Sequence, residues 1–397
     1  MNNNPFVSNK QVSRLLLGYT LGASLLIMPS GMARSFGESA WFFVIGYGLI
    51  FTLGTWLTAR LVEKYPDQTI VEFGPKLLGK FLSFLLNLGL SLYFLALVPF
   101  QARAMVELTN IAILPFGAGW FVAGFFMLAV LYGVIKGLDT FAQLNELLIG
   151  LAILVGMIVT VLGWQNFRLF HLFPIIDVNA INLKSPLQLA TLSSAFIGYP
   201  ILFLVAPFIK KPKGITGRAV RTMLFITLVY SFLVLTVVGV FGAKETMNQG
   251  WPVLELAKSV NLPGLLVERL DLVMLLAWIP AVYTSATGSL FFGIEGISRL
   301  FKIKWRSPLA WILAVVLFFM TNAITNYFHW VRIGIYLAIA GLFFSLAVPA
   351  LLWIVYLFRH LGGYIQHFVL CLIKGKRDNE RPLVKLSRAK ASAAKQS

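Results

Sequence analysis

Two apolar segments of this chain carry glycine and proline where a membrane helix normally keeps an unbroken hydrogen-bond ladder. In the first, residues 19–37 read YTLGASLLIMPSGMARSFG, with Gly22, Ala23 and Ser24 followed by Pro29. Unwinding there would free backbone N–H and C=O groups, which are tolerated at membrane depth only where they line a cavity or bind something. The N-terminus of a half-helix suits a carboxylate, and freed carbonyls suit an ammonium or a cation. The segment therefore predicts a site for a small molecule.

The second segment, LATLSSAFIGYPILFLVAPFIKK, repeats this arrangement. Gly198 is followed by Pro200 and Pro207, as Gly22 is followed by Pro29. Interruptions at matching positions of two repeats are typical of transporter-like binding sites near the membrane midplane. A second interpretation stays open, because glycine and proline in membrane helices also serve close packing or a simple kink.

A few ionisable residues lie inside or near the ends of apolar segments, where such groups suggest a function. Glu146, in LNELLIG, is a candidate proton site or a brace for the broken first helix. Arg103 and Glu107, like Glu295 and Arg299, are four residues apart and predict ion pairs along one helix face.

The composition defines the class of protein that holds these residues. Of the 397 residues, 58% are hydrophobic and 12% charged, and the mean hydropathy is +0.83. Soluble domains average about 45–50% apolar and about 25% charged residues, so the chain is an integral membrane protein. Its net charge of +18 comes from basic residues in loops and the tail, which indicates membrane orientation and not nucleic-acid binding. The single Cys371 and the absence of nucleophile–base, P-loop or metal-ligand spacings predict no enzyme, cofactor or metal.

Hydropathy divides the chain into ten predicted spans with both termini cytoplasmic. A domain over residues 1–360 would contain two five-helix repeats, 1–164 and 188–358, followed by a basic cytoplasmic tail, 361–397. Five spans per repeat make the repeats inverted, so the predicted fold class is all-α, with ten transmembrane helices as 5+5 inverted repeats and helices 1 and 6 broken. Two further amphipathic stretches, near residues 69–81 and 251–270, predict short surface helices. The predicted spans are 12–34, 40–62, 81–113, 118–136, 141–164, 188–210, 219–243, 268–298, 308–326 and 330–358.

Three stretches of the chain resemble the B subunits of spore-germination nutrient receptors, a branch of the amino acid–polyamine–cation transporter superfamily. They are LGASLLIMPSGMA, FIGYPILFLVAPFIKKPK and, most specifically, GWPVLELAKSVNLPGLLVERLDLVMLLAW. The resemblance covers residues 8–360. Two departures are Pro200, where many members carry an acidic residue, and LPFGAGW, where many have Thr-Pro. Loss of the acidic residue would weaken recognition of a ligand's amino group.

The resemblance implies which residues contact a ligand. The unwound segments would contribute Gly22, Ala23, Ser24, Phe196, Ile197, Gly198 and Tyr199. The opposing wall would come from spans three and eight, through Tyr93, Leu97, Trp278, Tyr283 and Thr284. Aromatic side chains at such positions more often serve ordinary helix packing.

Related transporters also use hydroxyl groups of span eight to hold a cation against span one. Here Thr284, Ser285, Thr287 and Ser289 fall within TSATGS, and with Glu146 they are the candidates for a cation or proton site. The alternative is that these hydroxyls bond only their own helix backbone.

The resemblance implies a sensor in the inner membrane of the spore. It would bind a small germinant, an amino acid first of all, and act with receptor A and C subunits to trigger germination. Two alternatives stay open: a proton- or sodium-coupled amino acid transporter on the same fold, and a structural subunit that holds a partner.

Overall fold

Prolines determine where the helices of this protein are interrupted, and glycines allow the helices to pack closely. The computed structural model describes residues 7–112, 119–175, 195–260 and 269–359. Within these ranges every regular element is helical, apart from an isolated parallel bridge between Val7 and Ile209. The helices are α1 (Asn9–Ser24), α2 (Met28–Phe36), α3 (Ala40–Lys64), α4 (Ile70–Leu78), α5 (Lys80–Ala112), α6 (Gly119–Lys136), α7 (Leu138–Gly163), α8 (Leu202–Val205), α9 (Ile215–Phe241), α10 (Ala243–Thr246), α11 (Pro252–Ser259), α12 (Leu270–Leu300), α13 (Arg306–Ala323) and α14 (Tyr327–Leu342).

Contacts along the chain divide it into two units, Met1–Ala350 and Leu351–Ser397. The first unit contains α1 to α14. Of the second unit the structure describes residues 351–359, which are helical. The predicted basic tail, residues 361–397, lies outside the described residues.

Eight helical stretches within the described residues are long and apolar enough to cross a membrane. Seven of them each overlap one of the ten spans predicted from hydropathy, and Met28–Lys64 covers the end of the first predicted span and all of the second. Two predicted spans, 12–34 and 188–210, have no full-length counterpart among the described residues, and they are the two that were predicted to be interrupted. Large apolar side chains such as Phe81 (82% exposed) and Leu147 (73% exposed) face outward, as expected for surfaces in contact with lipid. The eight stretches are Met28–Lys64, Lys80–Ala112, Gly119–Lys136, Leu138–Asn166, Ile215–Phe241, Leu270–Leu300, Arg306–Ala323 and Tyr327–Arg359.

The first interruption separates α1 from α2 by a turn at residues 25–27. Pro29 is the second residue of α2. A proline there cannot donate to the carbonyl four residues earlier, Leu25, and its ring clashes with that carbonyl, so a continuous helix is disfavoured. The break therefore falls directly after Gly22, Ala23 and Ser24, so the prediction that these three residues are unwound was wrong: they form the last turn of α1.

The second interrupted segment is described from residue 195; its predicted beginning, 188–194, lies outside the described residues. Turns at 195–198 lead into short pieces, with 3₁₀ turns at Tyr199–Ile201 and Ala206–Phe208 on either side of α8. This segment is almost entirely buried. The segment therefore consists of short helical turns, which have fewer consecutive backbone hydrogen bonds than a long α-helix.

The long helices pack closely through small residues. A Cβ added at Gly48 in α3 would collide with Thr227 of α9, and one added at Gly296 in α12 would collide with Ser91 of α5. Helix α12 lies at the centre of the bundle and packs against α1, α5, α6 and α7. These contacts fix the walls around both interrupted segments.

Two short helices, α4 and α11, lie within the two stretches that were predicted to form short amphipathic helices. Helix α4 begins with a capping box, in which the Glu72 carboxylate accepts from the Thr69 backbone N–H at 2.5 Å. Helix α11 follows Trp251, and the rest of that predicted stretch, 261–268, lies outside the described residues.

Candidate functional site

A cavity of about 140 Å³ lies beside the turn that separates α1 from α2. A single water needs about 10–15 Å³, so this space suits a small organic molecule. It is lined by Ser24 at the end of α1, Ile27 in the turn and Met28 at the start of α2. Leu97 of α5 and Ile197 of the second interrupted segment also line it. Helix α14 supplies the opposite wall. The cavity is therefore bounded by parts of the chain that are far apart in sequence and meet at the two interruptions.

The end of α1 next to this cavity is held by a tyrosine of α9. The Tyr230 hydroxyl donates to the Thr20 carbonyl oxygen at 2.9 Å and shares a 2.7 Å hydrogen bond with the Ser24 hydroxyl. The Ser24 hydroxyl has one hydrogen, which it donates either to the Tyr230 oxygen or to the same Thr20 carbonyl oxygen, 3.2 Å away. These bonds satisfy polar groups near the break without a ligand. The sequence analysis did not single out Tyr230; its signal was a tyrosine among apolar residues of the predicted seventh span.

Two of the predicted ligand-binding residues, Gly22 and Gly198, lie where an interrupted segment closely approaches a neighbouring part of the chain. A Cβ on Gly22 would collide with the Ala281 carbonyl oxygen of α12, and a Cβ on Gly198 would collide with the Thr20 side chain of α1. Ala23 is the residue after Gly22 in α1. Both glycines therefore let the interrupted segments approach their neighbours, which is the packing alternative left open by the sequence.

The remaining predicted residues of the second interrupted segment divide between cavity and core. Ile197 lines the cavity. Phe196 stacks on Phe51 at a ring distance of 5.3 Å, and the Tyr199 hydroxyl donates to the Ser345 carbonyl oxygen. Phe196 and Tyr199 thus fix this segment against α3 and the π-helical turn at Phe343–Ala347.

The predicted residues of α5 lie on the same side of the bundle as the cavity. Leu97 lines it, whereas Tyr93 packs one turn away against Phe344, with ring centroids 5.4 Å apart. A Cβ on Gly341 would approach both Tyr93 and Ile197, so these side chains are neighbours behind the cavity wall.

The predicted residues of α12 do not line the cavity. Trp278 packs edge-on against Trp251, with ring centroids 6.1 Å apart. Thr284 donates to the Ala281 carbonyl oxygen at 2.9 Å, and the Tyr283 hydroxyl lies near Gly133 of α6. The structure therefore brings Ser24, Leu97 and Ile197 together at the cavity, and places Trp278, Tyr283 and Thr284 elsewhere.

The hydroxyl row of α12 is oriented partly towards α1. Ser285 donates to the Tyr19 carbonyl oxygen at 3.2 Å, and Ser289 shares a 2.8 Å hydrogen bond with the Tyr19 hydroxyl. Thr287 instead donates to the Tyr283 carbonyl oxygen of its own helix at 2.8 Å. Ser285 and Ser289 thus join α12 to α1, while Thr284 and Thr287 bond within α12.

Glu146 pairs with residues at the beginning of α1. Its carboxylate contacts the Arg14 guanidinium, and the Lys10 ammonium lies 3.8 Å away. The neighbouring Asn145 side chain donates to the Arg14 carbonyl oxygen at 2.8 Å. Glu146 is about one-third exposed and does not line the cavity. This geometry is that of a brace between α7 and α1.

Several cavity residues were not anticipated from sequence. Trp330 of α14 stacks on Phe100 at a ring distance of 5.0 Å, and its indole N–H donates to the Phe100 carbonyl oxygen at 3.0 Å. Trp251, before α11, does not line the cavity but stacks on Trp330 at a ring distance of 5.6 Å. Arg34 of α2 is exposed at the cavity and donates to the Met247 carbonyl oxygen at 2.6 Å. Arg34 had a signal, because it is an arginine within the first predicted span.

A cluster of four charged residues lies at the end of α12. Glu295, only 1% exposed, accepts from Arg299 at 2.5 Å and from Arg306 at 2.6 Å. Arg299 also contacts Glu72 of α4 at 2.5 Å, and its guanidinium lies over the Phe208 ring, 5.8 Å from the centroid. The predicted i,i+4 pair is thus part of a larger cluster beside the end of the second interrupted segment.

Taken together, the fold and cavity define a helical, multi-pass membrane protein with a pocket at interrupted helices. A solved structure shares this fold: the crystal structure of MhsT in complex with L-phenylalanine has a TM-score of 0.64 and 15% sequence identity, and the match covers 89% of this chain and 99% of that one. At that identity the likeness shows the fold alone.

Relatives in sequence then identify the family. The model of the Spore_permease family, described as spore germination protein, matches residues 6–328, and the chain belongs to this family, which is not a family of enzymes. The spore germination protein YndE of Bacillus subtilis (strain 168) is 25% identical over 311 residues, 78% of this chain and 85% of that protein. Spore germination protein B2 of the same organism is 27% identical over 304 residues, 76% of this chain and 82% of that protein. The resemblance to germination B subunits is confirmed.

Proposed function

We propose that this protein is the membrane subunit of a spore germinant receptor and that it binds a small nutrient, first of all an amino acid, in the cavity beside α1 and α2. The observation that supports this most directly is the position of the cavity. It lies where the α1–α2 turn, the second interrupted segment, α5 and α14 meet. The fold shared with MhsT, whose structure contains L-phenylalanine, supports an amino acid as the first candidate.

The proposed architecture is ten transmembrane helices in two inverted repeats, with helices 1 and 6 broken and both termini cytoplasmic. The domain would comprise residues 1–360, followed by the basic tail 361–397. Eight full-length spans and two interrupted segments support this count. The proposed location is the inner membrane of the spore, where the protein would act with receptor A and C subunits.

A ligand in this cavity would contact both interrupted segments and α14 at once. Ser24 and Ile27 belong to the first interruption, Ile197 to the second and Ala338 to α14. A ligand shifts a conformational equilibrium only by as much as its affinity differs between two arrangements of its contacts. Short turns such as those flanking α8 can rearrange at lower cost than long helices, so the second interrupted segment is the element we propose to respond.

A second candidate function, a proton- or sodium-coupled amino acid transporter, draws support from α12. Ser285 and Ser289 face Tyr19 of α1, the arrangement in which such hydroxyls could serve a cation together with Thr284, Thr287 or Glu146. Uptake of a labelled ligand into proteoliposomes under a sodium or proton gradient separates the two functions. Gradient-driven accumulation would favour the transporter, and binding without accumulation the receptor.

The binding proposal is tested by thermal unfolding of the full-length purified protein with amino acids, nucleosides and sugars. A ligand at about 100 times its dissociation constant should stabilise the folded state by about 2.7 kcal/mol. Ala338→Phe should fill the cavity and abolish the shift, because Ala338 is a buried lining residue. Ala129→Phe, an exposed position on α6, is the matched control and should retain it. A shift that survives in Ala338→Phe would show that the ligand binds elsewhere.

A further inference from the structure

The charge of the cavity wall restricts which ligands it can recognise. Among the described residues that line it, Arg34 is the single charged side chain, and there is no aspartate or glutamate. The hydroxyls of Ser24 and Ser30 are already engaged, by Tyr230 and by the Ile27 carbonyl oxygen at 2.9 Å respectively. The wall therefore offers one formal positive charge and no side-chain negative charge.

Arg34 has capacity for a further partner. A guanidinium carries five N–H donors, and within the described residues that of Arg34 donates to the Met247 carbonyl oxygen. No ion pair links Arg34 to a carboxylate within the part of the chain that the structure describes; Glu107, on α5, is paired with Arg103 instead. A cation at a cavity mouth without a paired carboxylate is suited to bind an anionic group of a ligand, where planar N–H donors match carboxylate geometry.

Apart from Arg34, the hydroxyls of Ser24 and Ser30 and the phenol of Tyr327, the wall is apolar. Leu97 and Ile197 face the cavity on one side, and Phe100 and Trp330 form a stacked aromatic wall on another. The Trp330 indole N–H is occupied by the Phe100 carbonyl oxygen, so this aromatic pair presents ring surface to the cavity and keeps its polar atom engaged. Burial of an apolar ligand body against such a wall is favourable, whereas burial of an unpaired charged group there is unfavourable.

We infer that the ligand is a small carboxylate with an apolar body, that Arg34 recognises the carboxylate, and that no charged side chain recognises an amino group. This inference rests on the proposed function and narrows it to a ligand class. Amino acids with apolar side chains belong to this class because of their carboxylate. Their analogues without the amino group belong to it equally.

The test compares three probes of similar shape: L-phenylalanine, 3-phenylpropanoate and 2-phenylethylamine, with the matching leucine series (L-leucine, 4-methylpentanoate and 3-methylbutylamine) run in parallel. Dissociation constants are measured by calorimetry on the full-length protein in nanodiscs. Loss of a hydrogen bond to a charged group weakens binding about tenfold to a hundredfold. In at least one series the amine should therefore bind at least about tenfold more weakly than the amino acid, and the carboxylate within about threefold of it.

Variants of Arg34 complete the test. Arg34→Gln should weaken both carboxylate-bearing probes about tenfold or more and leave the amine unchanged, while Arg34→Lys should restore part of the affinity. Arg218→Gln, an exposed arginine on α9 away from the cavity, is the control and should change nothing. The inference would be overturned if the amine binds as tightly as the amino acid, or if Arg34→Gln leaves the affinity unchanged. Either result would leave the cavity itself supported, provided that Ala338→Phe abolishes binding. If no probe of either series binds, both the inference and the proposal that apolar amino acids are ligands are overturned. Binding that persists in Ala338→Phe would count against the proposed site itself.

Discussion

Glu295 is the residue whose replacement tests the charged cluster at the end of α12 most sharply. Its carboxylate is 1% exposed and accepts from two guanidinium groups, those of Arg299 and Arg306, at 2.5 and 2.6 Å. Glu295→Gln keeps the size and hydrogen-bonding capacity of the side chain and removes its charge. Arg299 would keep Glu72 as a partner at 2.5 Å. Arg306, about one-quarter exposed, would lose the carboxylate with which it is paired.

The expected cost follows from burial. Breaking a buried ion pair by removing one partner typically costs about 3–5 kcal/mol, because an uncompensated charge is left behind. Both arginines keep some contact with water, so we expect the lower end of this range for Glu295→Gln. The matched control is Glu255→Gln, whose carboxylate pairs with Lys258 at 2.8 Å while 39% exposed. Exposed pairs contribute about 0–1 kcal/mol, so this control should be close to neutral.

The assay is unfolding of the purified full-length protein in mixed micelles with increasing SDS, followed by tryptophan fluorescence. The double variant Glu295→Gln/Arg306→Gln should cost less than the sum of the two single variants, because the second change removes the charge that the first leaves unpaired. The reasoning would be refuted by a Glu295→Gln variant no less stable than Glu255→Gln. Additive single and double variants would show that Glu295 and Arg306 do not act as a pair.

Two further predictions concern the packing that shapes the cavity. Tyr230→Phe should lower the free energy of unfolding by about 1–3 kcal/mol, because the Thr20 carbonyl oxygen and the Ser24 hydroxyl lose their hydrogen bonds to Tyr230. Tyr336→Phe, at an exposed tyrosine, should have no measurable effect in the same SDS titration. Gly48→Ala should destabilise the protein, because the new Cβ would collide with Thr227 on α9. Gly46→Ala, two residues away with open space around it, should be neutral or stabilise α3 by up to about 1 kcal/mol. Equal effects of the two substitutions would contradict the close packing of α3 against α9.

Part of the cavity could be predicted from sequence and part could not. Ser24, Leu97 and Ile197 were expected at a ligand site, and all three line the cavity. Trp330 was not expected, because only the packing of α14 against α5 brings it over Phe100. Periodicity within one helix identifies a buried face and cannot say which distant helix covers it.

The interruptions themselves show why the sequence predicted the place of the cavity better than its lining. Pro29, Pro200 and Pro207 each occupy the second position of a helical piece, within the first turn, where a missing N–H costs little. The prolines therefore set where the helical pieces begin. Gly22 and Gly198 have a different role, since each lies where a Cβ would strike a neighbouring segment. A glycine near a proline therefore does not by itself show where a ligand binds. The proline marks the break, while the glycine lets neighbouring segments pack closely. The space for a ligand thus opens beside the turn after α1 and not at the glycines.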